Sequence, residues 1–276
     1  MKSKNLKKLK GDASERVFFR KKKINFSSII VHAKKDKKLN LLIYDAVNKI
    51  LLKNNVLAPK LLSENYTNNY IEIEDFGDQT ILILLQKNKN IKFPIFKKII
   101  RLLNQIQLIN QKKIKDFKKN YYKIPIYQKK ILLNEAKLFC DWYAVYKLAK
   151  SEQLNFKRRF IKIVKNLLKK IKLKNDIFVH RDFHVSNLMM VKNKIGVIDT
   201  QDALIGNKAY DLASLIDDVR FKTTVRIKKK IFDYYLRSQE KINIEHFRND
   251  FEIISVLRNL KIIGIFTRLA VKDKKK

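Results

Sequence analysis

The chain has little of what most small-domain chemistries need. It carries one cysteine, four histidines, three prolines and five glycines in 276 residues. The lone thiol, Cys140, excludes an intrachain disulfide and any multi-cysteine zinc module. The histidines show no zinc-ligand spacing. No apolar run approaches the roughly 18 residues of a membrane span. The basic start MKSKNLKKLKGDAS lacks the apolar stretch of a signal peptide. A cytoplasmic location with no membrane partner is therefore expected. Acidic residues are also scarce, 26 against 63 Lys and Arg, which leaves a net charge of +37.

Such a charge points either to a polyanionic partner or to composition. Lys, Asn and Ile are abundant and the lysines run along the whole length, as a preference for A/T-rich codons would produce. The compositional reading is the one adopted, so no specific nucleic-acid partner is expected. The charge itself still favours anionic ligands. Hydrophobic residues make up 46 %, enough for a packed interior rather than disorder.

The first part of the chain alternates strands with one helix. Arg16–Ala33 reads as two strands around a polar turn. Leu39–Asn55 has helical apolar spacing and stops at Asn-Asn. Ala58–Asp78 reads as a hairpin that turns at Asn68-Asn69. From about Thr80 the pattern becomes helical, with amphipathic helices expected over Phe96–Asn110, Gln128–Lys150 and Phe156–Leu173. Two short strands interrupt them, Ile177–His180 and Lys194–Asp199, and more helix follows. Gly77 marks the expected lobe boundary, which divides the chain into 1–78 and 79–276.

Between those short strands lies HRDFHVSNLMMVKNKIGVIDT, His180–Thr200. Asp182 follows an apolar strand, Asn187 comes five residues later, and Asp199 closes the next strand pair. Phosphoryl transfer needs a held hydroxyl and neutralised phosphate charge more than covalent help. A carboxylate at Asp182 can accept the hydroxyl proton, while Asn187 and Asp199 offer the hard oxygens that Mg²⁺ takes. A bland reading competes: a loop with capping aspartates and a packed histidine. His180 reads as a loop organiser, and His184 as either a substrate contact or a packing group. Trp142 with Phe139, Tyr143 and Tyr146 reads as core packing, and Cys140 as a small buried hydrophobe.

These residues resemble the aminoglycoside-phosphotransferase-like kinases, and within them the bacterial anomeric N-acetylmuramate/N-acetylglucosamine kinases. The resemblance is carried by GDASERVFFR, IEIEDFGD, IPIYQKKILLNEAKLFCDWY, HRDFHVSNLM, GVIDTQDALIGNKAYDLASLIDD and RNLKIIGIFTRLAVKD. It implies an α+β, protein-kinase-like fold of two lobes, a β-rich N-lobe and a mainly helical C-lobe. It also implies ATP and Mg²⁺ as cofactors and a sugar as the acceptor, giving a sugar 1-phosphate in cell-wall sugar recycling. By the same resemblance Asp182 is the base and Asn187 and Asp199 bind metal. Ser14 lies over the ATP phosphates; the chain departs from the usual strand lysine paired with a helix glutamate, its first helix carrying Asp45 and no Glu, so Lys34, Arg16 and Arg20 are all candidates for the phosphate cation. Glu74 and Phe76 meet adenine, Gln201 and Asp202 face the sugar, and Asp211 supports the loop. A kinase of another small alcohol, and a basic nucleic-acid binder on a kinase relic, are the alternatives.

Overall fold

The computed structural model describes residues 6–9, 16–24, 26–87 and 92–272. They form two compact units. The first takes the chain through Ile124 together with His184–Ala203, and the second takes Pro125–Phe183 with Leu204 onward.

The first unit is built on an antiparallel sheet of five strands in the order β1-β2-β3-β5-β4. These are β1 Leu6–Lys8, β2 Val17–Lys22, β3 Ser27–His32, β4 Leu61–Asn65 and β5 Tyr70–Glu74. Alternation sets its buried face: Ile29 and Val31 of β3, with Ile71 and Ile73 of β5, pack with Leu41 and Tyr44. Leu41 and Tyr44 come from helix α1, Leu39–Lys53, which lies where helical spacing places it. Asn69 takes a left-handed φ of 60° in the β4–β5 turn, a conformation Asn tolerates. Helices α2 (Ile81–Lys87) and α3 (Lys92–Gln107) follow, and then a hairpin of β6 (Lys113–Lys115) and β7 (Tyr121–Lys123). The sequence pattern missed β1 and this hairpin, because three-residue strands rich in lysine show no alternation to detect.

Two further strands of this unit, β9 Leu188–Val191 and β10 Lys194–Val197, pair as a tight hairpin. Lys192 and Asn193 turn it, both at positive φ. Gly196 lies on β10 where a Cβ would come within 2.7 Å of the Phe76 ring. The absent side chain lets that ring settle on the strand.

The second unit holds a two-stranded sheet, β8 Asn175–Val179 with β11 Leu204–Asn207, and most of the helices. Helix α4, Lys129–Leu138, passes into a π-helical turn, Phe139–Ala144, and a last turn α5, Val145–Lys147. The single helix expected over this stretch is therefore one continuous helical run with a wide turn in its middle. There Phe139 stacks on Tyr143 at 5.0 Å, and Cys140 is buried. Helix α6, Lys150–Lys169, turns Val164 and Leu168 inward and its cations outward. Then come α7 Tyr210–Ile216, α8 Val225–Arg237 and α9 Ile244–Val271. Gly264 of α9 permits a close helix approach: a Cβ there would stand 2.3 Å from the Leu138 carbonyl carbon. Asp250, also on α9, is fully buried and accepts from the Lys172 and Leu173 amides at 2.8 Å and from Asn207 at 2.7 Å.

Candidate functional site

Strand register decides how Asn187 and Asp199 are placed. Leu188 stands opposite Val197 in the β9–β10 hairpin. One step further, the Ile198 amide donates to the Asn187 carbonyl at 3.0 Å, so the ladder continues past the strand ends. Asn187 and Asp199 thus leave the same end of one hairpin. A slip of one residue would turn one of them to the other face. Asn187 Nδ2 lies 3.3 Å from His184 Nε2, and buried His184 thereby orients the amide.

Asp199 has a left-handed φ of 64° and opens a short helical turn, Thr200–Asp202. Helix α1 anchors that turn. The Thr200 hydroxyl donates to Asn48 Oδ1 at 2.5 Å, and Asn48 Nδ2 donates to the Pro59 carbonyl at 3.0 Å. Arg16, at the mouth of β2, reaches the same place. Its Nη2 lies 2.5 Å from Asp199 Oδ1, and its Nη1 donates to Gln201 Oε1 at 2.5 Å. The Arg16 side chain is 7 % exposed and that of Asp199 34 %. A guanidinium thus stands as counter-ion on the more open carboxylate. Gln201 Nε2 in turn donates to Asp202 Oδ2 at 2.6 Å. Burial pushes the Tyr122 hydroxyl of β7 up to about 12, and the Asp202 charge adds to the rise.

The first unit therefore brings together Asn187, His184, Asp199, Gln201, Asp202 and Arg16. Lys34 is exposed, just past β3, and of the three candidate cations Arg16 is the one on Asp199. Arg20 is engaged elsewhere, with Asp75 at 2.6 Å and Asp78 at 2.7 Å. Glu74 ends β5, its amide bonded to the Lys60 carbonyl at 2.9 Å, and Phe76 is buried against β10. Ser14 lies outside the described residues. Among the described residues, no cluster of three or more His, Cys, Asp or Glu side chains could hold a metal by itself. An Asn beside an Asp that already attracts a guanidinium is a donor set suited to a hard ion completed by phosphate oxygens and water.

Asp182 belongs to the second unit and has its own surroundings. Just before it, Asp211 of α7 accepts the His180 amide at 2.7 Å and the Arg181 amide at 2.9 Å. Burial pushes Asp211 up to about 6, against the pull of His180 and those two amides, and the Asp182 charge adds to the rise. The Arg181 guanidinium pairs with Glu135 of α4, and Lys261 Nζ of α9 lies 3.0 Å from the same carboxylate. The Tyr127 hydroxyl also donates to Glu135 and lies 3.1 Å from the Tyr210 hydroxyl. Sequence reasoning assigned no role to Tyr122, Tyr127, Glu135 or Lys261. The last three lie in segments that carried the resemblance, but nothing in their spacing connects helices so far apart in the chain.

A family model described as "Phosphotransferase enzyme family" matches residues 5–244. The chain is 28 % identical over 277 aligned positions to an N-acetylmuramate/N-acetylglucosamine kinase of Neisseria meningitidis serogroup B, covering 96 % of this chain and 78 % of that protein. A protein of the same name from Pseudomonas aeruginosa is 27 % identical, covering 80 % of this chain and 64 % of that one. Among solved structures, the ADP-bound aminoglycoside phosphotransferase APH(2'')-Ib superposes with a TM-score of 0.67 at 15 % identity, over 100 % of this chain and 88 % of that one. The fold is the protein-kinase-like α+β fold, with a sheet-built N-terminal part and a helical C-terminal part.

Proposed function

The chain belongs to the phosphotransferase enzyme family, and on that premise we propose that it transfers the γ-phosphoryl group of ATP to the anomeric hydroxyl of N-acetylmuramate, N-acetylglucosamine or both. The product is the sugar 1-phosphate, and the cellular setting is recycling of cell-wall sugars. The observation that carries the reading is the hairpin end that presents Asn187 and Asp199 together, in a chain whose curated relatives bear that kinase name.

Each residue has work suited to its chemistry. Asp182 orients the acceptor hydroxyl and takes its proton. Asn187 and Asp199 hold Mg²⁺, which when bound neutralises phosphate charge. Arg16, now on Asp199, is the side chain able to exchange that carboxylate for a nucleotide phosphate, with Ser14 and Lys34 as further phosphate contacts. Glu74 offers its carbonyl and Phe76 its amide to adenine. His184, Gln201 and Asp202 face the acceptor. In this reading residues 1–78 take the nucleotide and 79–276 carry catalysis and acceptor.

The test is ATP with a panel of amino sugars and small alcohols, with the product read by phosphorus NMR. A doublet from phosphate on the anomeric carbon, formed only with an N-acetylated amino sugar, is the expected result. Phosphate on a primary hydroxyl, or turnover only with another alcohol, would overturn the sugar 1-kinase reading while leaving the phosphotransferase family intact.

A further inference from the structure

Asp199 keeps a backbone that few residues adopt. Its φ is 64° and its ψ 44°, in the left-handed region. Aspartate visits that region more readily than most side chains, yet such a conformation persists only where the neighbouring chain imposes it. Two bonds hold the chain before it. The Val197 amide donates to the Leu57 carbonyl at 2.8 Å, and the Ile198 amide donates to the Asn187 carbonyl at 3.0 Å. The chain after it is held by a side chain: the Thr200 hydroxyl donates to Asn48 Oδ1 of α1 at 2.5 Å. Thr200 is fully buried and Asn48 is 3 % exposed, so water does not replace this bond when it is lost.

The amide of Asn48 has one orientation open to it. The Pro59 carbonyl can only accept, so Nδ2 faces it at 3.0 Å and Oδ1 is left for the Thr200 hydroxyl. Leu57 and Pro59 belong to one short segment between α1 and β4. That segment therefore holds the chain on both sides of Asp199, directly at Val197 and by way of Asn48 at Thr200. Helix α1 is itself fixed, because Leu41 and Tyr44 pack against the sheet, and Tyr44 lies one turn before Asn48. The acid of this helix is engaged elsewhere: Lys49 Nζ lies 2.6 Å from Asp45 Oδ2. With no glutamate in α1, the helix meets the turn through a neutral amide.

We propose that Asn48 and Thr200 are positioning residues for Asp199: their bond holds the left-handed backbone that turns the carboxylate to the hairpin end it shares with Asn187, and so sets how firmly a metal-bound nucleotide is held. The inference rests on the reading of Asn187 and Asp199 as the Mg²⁺ ligands. With the bond gone, Asp199 can relax toward an ordinary φ, and that rotation carries its side chain away from the hairpin end.

A hydrogen bond that only stabilised the fold would lower the melting temperature and leave metal binding alone, so the experiment reads both. Fluorescent ADP is titrated with and without Mn²⁺, and the gain in affinity that the metal brings is compared across variants. Thermal melting and the Mg²⁺ dependence of turnover are followed alongside. Thr200→Val is nearly isosteric and lacks the hydroxyl. It should cut the metal-dependent gain about 3–10-fold, the scale of one lost hydrogen bond, with metal-free ADP affinity unchanged. The Mg²⁺ concentration for half-maximal turnover should rise by a similar factor. Asn48→Leu removes the same bond from the other side and should act alike, and the double variant should lose no more than the larger single loss. Thr200→Ser keeps the hydroxyl and should keep the wild-type gain, which decides the matter should the other variants fail to fold. Asn54→Ala, which removes a bond to the Ile50 carbonyl at the end of the same helix, is the control and should melt lower with the gain unchanged. A folded Thr200→Val or Asn48→Leu with the wild-type gain would overturn the proposal. So would additive losses in the double variant, or a Thr200→Ser or Asn54→Ala that loses as much as Thr200→Val. A wild type without any metal-dependent gain, or an unchanged gain in Asp199→Asn, would instead remove the metal reading beneath it.

Discussion

The two polar clusters differ in what surrounds them. On the first unit, Arg16 meets a carboxylate one-third exposed, on a turn next to a short hairpin. On the second, Glu135 is shut in by Arg181, Lys261 and Tyr127, each drawn from a different element. The same contrast appears in two glycines. A side chain at Gly196 would push on the edge of the Phe76 ring, which can move, while one at Gly264 would meet the Leu138 backbone, which cannot. An open ion pair exchanges partners at small cost, because water and ligand oxygens replace what is lost. A closed one holds its geometry, because each member leaves an uncompensated buried charge if it moves. One cluster is suited to receiving ligands and the other to holding a residue still.

The sharpest way to break this comparison is at Asp199. Asp199→Asn should fold normally and lose nearly all turnover, with part of it recovered at high Mg²⁺; unchanged kinetics would remove the metal assignment. Arg16→Met comes next. Hydrogen bonds to charged groups contribute about 1.5–3 kcal/mol, so ADP affinity should fall roughly 10–100-fold by titration calorimetry while the melting temperature barely changes. A large loss of stability with intact ADP binding would place Arg16 among the fixed pairs instead.

The glycines sharpen the comparison through stability. Overpacking costs typically 1–3 kcal/mol, and more when the neighbour is rigid. Gly264→Ala should lower the melting temperature clearly more than Gly196→Ala, and equal losses would mean that the second unit yields as readily as the first. The smallest effect concerns Asp211. Burial raises it from 3.8 to about 6, so the fold favours its protonated form. Its contribution to stability is full below the unfolded value and is lost as pH rises through about 6. Wild type should therefore outlast Asp211→Asn by a wider margin at pH 5 than at pH 7.5 in paired thermal melts.

Much of this was legible in the chain. Helix α1 follows its apolar spacing, and strands β2 to β5 their alternation and turn residues. The β9–β10 hairpin and the residues at its ends were visible as a motif, because the chemistry and the strand register both act over about a dozen residues. What escaped detection is nonlocal or short. The β6–β7 hairpin lacks length, the π-helical turn within the Gln128–Lys150 stretch has no composition of its own, and Tyr122 has no pattern connecting it to Asp202.

The sequence by itself carried the mixed α+β class, through local periodicity, and the resemblance to the phosphotransferase family, through motifs contiguous in the chain. The tertiary structure alone decided which of three candidate cations stands on Asp199, and that Glu135 and Lys261, 126 positions apart, share one buried ion pair. The reason is physical. Periodicity reports which face of an element is buried, but a salt bridge depends on which two faces come within about 4 Å, and here a glycine in one helix and a strand register in a separate unit set those distances.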